Sequence, residues 1–292
     1  MKKVPKDTAA ADSTLVIIER EFELRSDGGE SKVFARIRKP VRNDETTFRC
    51  EVEIEGLGDP IFTCGNGIDA IQAYELALQG VALRLLASSE YQSGQLTFRG
   101  SHDLRLPVPE SYRYLVRTDL ERDLSVREMA GKDVATKRFR EEILARLQDK
   151  SKVWPDKPDD APVVLERIFD LSRGRKRTEV RVFFRKPVPD RLGHWCAFKI
   201  EGLLKKPHAR TRMLGEDPID SLRNAMRLAM VYIVSSSAYQ RGQVTWLGMY
   251  DLGMPIVEEV EPLIRKDLHA KVMAETLMNP PTLRRSARKT AR

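Results

Sequence analysis

The chain has 292 residues, of which 41% are hydrophobic and 32% charged, and its formal net charge is +8. The length predicts two domains, each large enough to bury its own core, and the composition is that of a soluble globular protein. A membrane-spanning segment is excluded because the longest apolar stretch, residues 68–87, is interrupted by charged and amide side chains; it favours a buried helix.

The N-terminal residues 1–13 carry three lysines with no apolar stretch after them. They therefore predict a disordered segment and no secretory signal. The three cysteines, Cys50, Cys64 and Cys196, form no CxxC pair, which disfavours both a zinc site and a disulfide framework. We expect a cytoplasmic protein with no metal and no cofactor.

Alternation of apolar and polar residues dominates the first part of the chain. It predicts a strand at Phe48–Glu55 and two more at Val16–Leu24 and Val33–Lys39, the latter two joined by the turn sequence SDGGES. A long helix is expected at Ile68–Ser88 and a glycine-bounded strand at Gln95–Arg99. The fold class is therefore α+β, a β-β-β-α-β module in which one long helix packs on one face of an antiparallel sheet.

Further helices are expected at Glu110–Met129 and at Val134–Asp149, and the proline- and aspartate-rich stretch KVWPDKPDDAP follows them. We assign residues 14–130 to a first α+β repeat and residues 131–161 to a linker helix and linker.

The whole pattern then recurs. The stretch SSEYQSGQLTFRG from Ser88 and the stretch SSAYQRGQVTWLG from Ser236 are identical at 8 of 13 positions and lie 148 residues apart. RKPV occurs in both halves, DLGMPI answers DLRLPV, and the PIDSL segment answers GIDAI, which equates Asp220 with Asp69. A tandem duplication follows, with a second repeat at residues 162–278 and a basic, disordered tail at residues 279–292. The second long helix is expected at Ile219–Ser236, and another helix at Glu258–Met278.

The stretches HWCAFKIEGL, IDSL, YQRGQVTWLG and DLGMPI resemble a small uncharacterised bacterial domain family with the pattern W-x-C-x-[FY]-x-I-x-G-L, a helix opening with Asp, and Y-x-x-G-x-L-T-W. The resemblance covers both repeats, about three quarters of the chain. The first repeat departs from it, with Arg49 and Phe98 at the two tryptophan positions. The resemblance implies a bacterial protein and supports the module, but it implies no activity.

Two arginines fall on the apolar side of the first strand of each repeat, at Arg20 and Arg167. Because an arginine there cannot lose its charge, it needs a carboxylate or must be turned outward by a β-bulge. We predict structural ion pairs within each repeat, Arg20 with Asp69 and Arg167 with Asp220, and keep the bulge as the alternative.

Catalytic residues are not expected. Cys50 and Cys196 match between the repeats but lie among apolar neighbours, where a thiol is a small core residue. The four histidines are scattered, and the sequence contains no HExxH, GxSxG or phosphate-binding glycine motif.

The outer sheet face of the second repeat is a candidate protein-binding surface, since apolar side chains there stand among cations. Its residues are Ile168, Arg181, Phe183, Arg185 and Lys199, together with Ala197. Packing within the chain is the simpler interpretation of the same face.

A basic turn and the basic tail form a second candidate surface, for nucleic acid. The cations are Arg173, Arg175, Lys176, Arg177, Arg284, Arg285, Arg288 and Lys289. The first repeat has no matching basic turn, and the chain has no RNA-binding or helix-turn-helix signature.

The sequence thus favours a non-catalytic bacterial binding protein with a protein partner. A nucleic-acid-associated factor is the first alternative, and an enzyme with a site between the repeats is the second.

Overall fold

The computed structural model describes residues 15–26, 28–120, 160–203 and 211–278. Three of the predicted segments lie outside the described residues: the disordered N-terminus 1–13, the linker helix Val134–Asp149 with most of the linker 131–161, and the basic tail 279–292.

In the part of the chain that is described, the first repeat, called module 1 below, has six strands, two helices, a 3₁₀ helix and a helical turn at residues 118–120. In chain order they are β1 Val16–Ser26, β2 Gly29–Arg38, β3 Val41–Arg42, β4 Phe48–Glu55, β5 Ile61–Gly67, α1 Ala70–Leu86, α2 Ser89–Gln92, β6 Leu96–Thr97 and the 3₁₀ helix Glu110–Leu115.

The second repeat, module 2, follows the same order. Its elements are β7 Val163–Arg173, β8 Lys176–Arg185, β9 Val188–Asp190, β10 Gly193–Glu201, β11 Thr211–Gly215, α3 Pro218–Val234, α4 Ser237–Gln240, β12 Val244–Thr245, the 3₁₀ helix Glu258–Leu263 and α5 Lys266–Met278.

Each module is built on one antiparallel sheet. In module 1 the strand order is β3-β4-β2-β1-β6, with β5 also paired to β4, and in module 2 it is β11-β10-β8-β7-β12, with β9 also paired to β10. The long helix of each module contacts its own sheet, α1 through β4 and β5 and α3 through β10 and β11. The predicted α+β fold with a tandem duplication is therefore confirmed.

Two strands of each module escaped the sequence prediction, and β5 shows why. Its sequence, IFTCGNG, has two glycines and no regular alternation. The glycines are needed because α1 crosses closely over the strand: a Cβ atom at Gly65 would overlap the Ala73 carbonyl oxygen and lie 2.9 Å from the Ala77 Cα. The two glycines therefore obscure the strand in the sequence and also allow the helix to pack closely on it.

The long helices begin at aspartate caps. The Asp69 carboxylate accepts a hydrogen bond from the Gln72 amide at the start of α1, and the Asp217 carboxylate accepts one from the Asp220 amide at the start of α3. Pro218 occupies the first position of α3, where a missing N–H costs nothing. Both helices are 17 residues long and bury a wide apolar face against their sheets.

The segment predicted as a helix at Glu110–Met129 begins instead with 3₁₀ turns at Glu110–Leu115. The equivalent segment of module 2 does the same at Glu258–Leu263, and α5 starts only at Lys266. The prediction of one continuous helix from Glu258 was therefore wrong. Pro262 is not the cause of the break, since module 1 has the same 3₁₀ segment without a proline. Residues 121–129 lie outside the described part of the chain.

One continuous cluster of buried residues extends through both modules. The long helix of each module also touches the first strand of the other, α1 against β7 and α3 against β1. The two modules therefore pack reciprocally, as the subunits of an isologous dimer do.

Replacing Gly65 with alanine should destabilise the protein by about 1–3 kcal/mol, because the new methyl group would force α1 away from β5. The measurement is urea denaturation followed by circular dichroism. Gly80→Ala is the matched control: this glycine lies within α1, and a Cβ there would be 3.7 Å from the Thr63 hydroxyl oxygen. Alanine favours a helix interior, so this variant should gain up to about 1 kcal/mol. Equal losses for both variants would contradict the close helix–strand packing.

Candidate functional site

The two arginines singled out in the sequence lie in the hydrophobic core. Arg20 is 2% exposed and Arg167 is 1% exposed. A bulge does occur in each strand, at Ile17 and at Val164, but it precedes the arginine and does not turn it outward. The bulge alternative was therefore wrong, and each guanidinium requires a partner inside the protein.

Each arginine finds that partner in the other module. Arg167 pairs with Asp69 through two contacts, Nε to Oδ2 at 2.6 Å and Nη2 to Oδ1 at 2.9 Å. Arg20 pairs with Asp217, Nη2 to Oδ2 at 2.5 Å. The predicted pairs within each repeat, Arg20–Asp69 and Arg167–Asp220, were wrong, since the carboxylates are exchanged between the modules.

The helix caps explain why Asp220 was the wrong residue to equate with Asp69. Asp69 and Asp217 occupy the same cap position, whereas Asp220 corresponds to Gln72. The side chains of Gln72 and Asp220 both reach back to the amide of the residue before the cap, at 2.8 and 3.0 Å. The PIDSL-to-GIDAI match was therefore out of register by three residues.

Both guanidinium groups have further partners in the loop after the last strand of their own module. Arg20 Nη1 donates to the Leu104 and Arg105 carbonyls at 3.1 and 3.2 Å, and the group lies 4.6 Å from the ring of Phe98.

In module 2 the contacts are the same in kind. Arg167 Nη1 donates to the Leu252 and Gly253 carbonyls at 2.8 and 2.6 Å, and its guanidinium lies 4.0 Å from the Trp246 ring. The aromatic position of the repeat motif and the DLRLPV/DLGMPI loop thus hold the arginine that reaches across to the other module. We call these two sets of contacts the exchanged clamps.

The outer face of the module 2 sheet brings together most of the residues predicted to bind protein. Ile168 is 43% exposed beside Arg181, and the half-buried Phe183 lies between Glu166 and Lys199 in the strand register. Ala197 is different: it is only 2% exposed and offers no contact surface.

The cations of that face are paired. Arg181 contacts Glu179 at 2.7 Å and Glu166 at 3.9 Å, and Lys199 contacts Glu201 at 2.6 Å. Arg185 Nη1 donates to the Ala161 carbonyl at 2.5 Å. The face is therefore apolar at Ile168 and Phe183 with ion pairs around them.

The predicted basic turn is the tip of the β7–β8 hairpin. Arg173, Arg175, Lys176 and Arg177 are all exposed there, and Arg173 donates to the Leu203 carbonyl at 3.3 Å. The other nucleic-acid candidates, Arg284, Arg285, Arg288 and Lys289, lie outside the described residues.

The exchanged clamps and the hairpin fall inside two regions, residues 18–108 and 165–256, that match one family model, described as a domain of unknown function (DUF6968). The chain belongs to this family. It carries two DUF6968 modules, and the two regions contain every residue of the exchanged clamps. No curated protein and no solved structure matches the chain.

The cysteines of the DUF6968 pattern, Cys50 and Cys196, are fully buried in the cores of their modules. Burial raises the pKa of both thiols far above the usual value. Each sulfur lies 3.3 Å from a backbone carbonyl, that of Arg38 or Arg185. These are properties of a structural cysteine and not of a nucleophile.

A crevice of about 390 Å³ lies between the two DUF6968 modules, lined by the start of β1 and by Lys186, His194 and Pro218. The Lys186 ammonium donates to the Val16 carbonyl at 2.8 Å, and burial lowers the pKa of His194. Sequence reasoning missed this feature because His194 has no histidine counterpart in module 1 and because the crevice exists only where the modules meet.

Within the described ranges, no group of three or more His, Cys, Asp or Glu side chains is placed to hold a metal ion. Likewise, no helix described there is both long enough and apolar enough to cross a membrane.

A double-mutant cycle tests the exchange of partners. Arg167→Met and Asp69→Asn should each cost about 3–5 kcal/mol of unfolding free energy, because each leaves a buried charge without its partner. Asparagine keeps the helix cap, so the effect of Asp69→Asn reports the charge. The double variant should lose clearly less than the sum, measured by chemical denaturation.

The control is the pair predicted from sequence. Arg20→Met and Asp69→Asn should combine with a much smaller interaction energy, because these residues belong to different clamps. A larger interaction for Arg20 with Asp69 than for Arg167 with Asp69 would contradict the exchange.

Proposed function

We propose that this protein acts by binding another protein, without catalysis, through the outer face of the module 2 sheet. The observation that supports this is a difference between two faces built on the same scaffold. At the positions of Ile168 and Phe183 the equivalent face of module 1 has the ion-paired Glu21 and Arg36. Its aromatic side chains lie elsewhere on that face, Phe34 opposite Glu21 and the 70% exposed Phe62 opposite Glu53.

In module 1 the central residue of the face is Arg36. Its guanidinium contacts Glu19 on one neighbouring strand and Glu55 on the other, both at 2.6 Å. Arg38 pairs with Glu53 and Lys32 pairs with Glu21, so each of these cations has a carboxylate partner on a neighbouring strand. Ion pairs at these positions favour contact with water over a dry protein contact.

In module 2 the position of Arg36 is taken by Phe183 and that of Glu21 by Ile168, as the shared strand register shows. Both side chains lie on interior strands of the sheet, β7 and β8. They therefore stand near the middle of the face and not at an edge of the sheet. An apolar centre surrounded by paired charges has the layout of a protein-binding surface, in which buried apolar contacts supply affinity and the polar rim supplies orientation.

The buried ion pairs and the buried thiols support a binding role over catalysis. The two buried arginines and their carboxylates stabilise the fold, and the two buried thiols are unreactive by environment. With three cysteines and no disulfide between them, a bacterial cytoplasm is the setting that we propose.

Exchanging the two apolar residues for their module 1 counterparts tests the proposal. The variant Ile168→Glu/Phe183→Arg should fold, since the same side chains are tolerated on the same scaffold in module 1. In quantitative affinity capture from nuclease-treated bacterial lysate, the variant should retain at least tenfold less of the specifically bound protein than wild type does.

The matched control is a double charge change on the other sheet, Glu21→Ile/Arg36→Phe, which should leave that binding unchanged. Capture that is equal for wild type, test variant and control would refute the proposed surface.

A second candidate function, nucleic-acid binding, is favoured by one observation. Arg175, Lys176 and Arg177 are exposed at the end of a ten-residue strand pair and form no ion pair with any described residue. The equivalent turn of module 1 is closed by the pair Arg25–Glu30 at 3.1 Å. Unpaired cations on a projecting hairpin are suited to phosphate contacts.

For that candidate, replacing Arg175, Lys176 and Arg177 with serine should lower the salt concentration at which the protein elutes from heparin, and the affinity for single- or double-stranded nucleic acid should lose part of its salt dependence. Replacing Arg181, Lys199 and Lys32, which are paired with glutamates, is the control and should have a smaller effect. A wild-type protein that heparin does not retain at low salt would eliminate this candidate.

A further inference from the structure

The interface between the two DUF6968 modules is symmetric at its centre and asymmetric around it. The exchanged clamps repeat on both sides: Arg20 with Asp217 and Arg167 with Asp69. An interface made only of these contacts would serve equally well for two copies of module 1 or two copies of module 2. The residues around the clamps remove that equivalence.

The first asymmetric contact is an ion-pair cluster at Glu216, the residue before the α3 cap. Arg99 and Arg105 of module 1 contact its carboxylate at 2.9 and 2.7 Å, and Arg99 also donates to its carbonyl at 2.9 Å. All three side chains are partly exposed, so the cluster lies at the edge of the interface.

On the other side of the interface the same three positions carry no charge. The counterpart of Glu216 is Ile68, and the counterparts of Arg99 and Arg105 are Leu247 and Gly253. The backbone confirms this correspondence, because Arg99 and Leu247 have φ angles of 53° and 52° and Arg105 and Gly253 have φ angles of 49° and 59°. Ile68 and Leu247 are 43% and 65% exposed.

The second asymmetry is a difference in charge between the two long helices. Glu75 of α1 has Arg223 as its counterpart in α3, one of two arginines on that helix with Arg227. Burial raises the pKa of Glu75, and the positive charges of Arg223, Arg227 and Arg167, all in module 2, act against that rise. One Glu75 carboxylate oxygen and the Nε atoms of Arg223 and Arg227 are buried without a hydrogen-bond partner.

Pairing like with like would turn each of these contacts into a mismatch. In a pair of module 1 copies, Arg99 and Arg105 would face Ile68 in place of Glu216, and both long helices would carry Glu75. In a pair of module 2 copies, Glu216 would face Leu247 and Gly253, and both long helices would carry Arg223 and Arg227. Unpaired charges around position 216 and like charges on the two helices disfavour both arrangements.

We infer that the interaction surface of each module is specific for the other module: module 1 fits a partner with an acid at position 216 and arginines at positions 223 and 227, and neither module fits a copy of itself. The clamps provide attraction that any two modules would share, and the surrounding charges select the unlike pair. Within one chain, each module therefore has the partner that its charges select.

The test starts from the full-length protein with a specific protease site inserted after Lys150. The folded protein is cleaved, and isotopically light and heavy preparations are mixed and analysed by native mass spectrometry. The expected complexes contain one fragment of each kind, including light–heavy pairs formed by exchange. Pairs of like fragments as abundant as mixed pairs would overturn the inference, as would fragments that remain separate at concentrations where the uncleaved protein is folded.

Charge variants then test which residues select the partner. Glu216→Arg should weaken the association of the cleaved fragments at least tenfold, because it places a third cation beside Arg99 and Arg105. Adding Arg99→Glu and Arg105→Glu should restore most of the lost affinity. Glu30→Arg, at an exposed glutamate paired with Arg25 away from the interface, is the matched control and should have no effect.

An effect of Glu216→Arg within twofold of the Glu30→Arg control, or no restoration by the compensating changes, would contradict the inference. Because Glu216 is partly exposed, the uncleaved variant should keep its fold, which circular dichroism verifies.

Discussion

An arginine keeps its charge at every accessible pH, so a strand that presents one to a hydrophobic core must be met there by a carboxylate. Arg20 and Arg167 impose this constraint on the two halves of the chain. The carboxylates that satisfy it cap the long helix of the opposite module, and the same guanidiniums bind the backbone after the last strand of their own module. First strand, final loop and opposing helix are thereby connected through a single side chain. Neither module can satisfy its buried arginine alone.

The two modules have diverged in a consistent way. Positions that serve the clamps are the same or similar in both, including the cap aspartates, the buried arginines and the aromatic residues Phe98 and Trp246. Positions that face outward differ in character between the modules, with a charge in one and an apolar side chain in the other, as for Arg36 and Phe183 or Ile68 and Glu216. A duplicated scaffold has thus kept its internal contacts while its surfaces were free to acquire separate roles. The proposed binding face and the selective module interface both arise from such changes.

The clamps give the polar residues of the recurring motif a structural role. The arginine in the strand and the aspartate at the helix start contact each other, and the arginine also donates to backbone carbonyls. Removing one member of a buried ion pair costs more stability than the intact pair contributes, because the other charge is left buried without a partner. Such residues are retained together for structural reasons.

Much of the fold could be read from the residues. The strand at Phe48–Glu55 was predicted with its observed bounds, and the helix at Ala70–Leu86 within two residues at each end, because alternation and helical periodicity are local properties. The phase of Arg20 and Arg167 in the strand predicted the apolar side for both, with a bulge that turned them outward as the alternative. Strand β5 did not follow, because the glycines that admit the crossing helix erase its pattern.

The sequence by itself determined that a module occurs twice, that it is α+β, and that each copy places an arginine among apolar residues. Only the tertiary structure decided which aspartate meets which arginine, and that the pairs cross between modules. A residue's own strand or helix sets the direction of its side chain, whereas the group opposite it is supplied by the packing of distant elements. For the same reason the pairing of Arg99 and Arg105 with Glu216, more than 100 residues away, left no local signal in the chain.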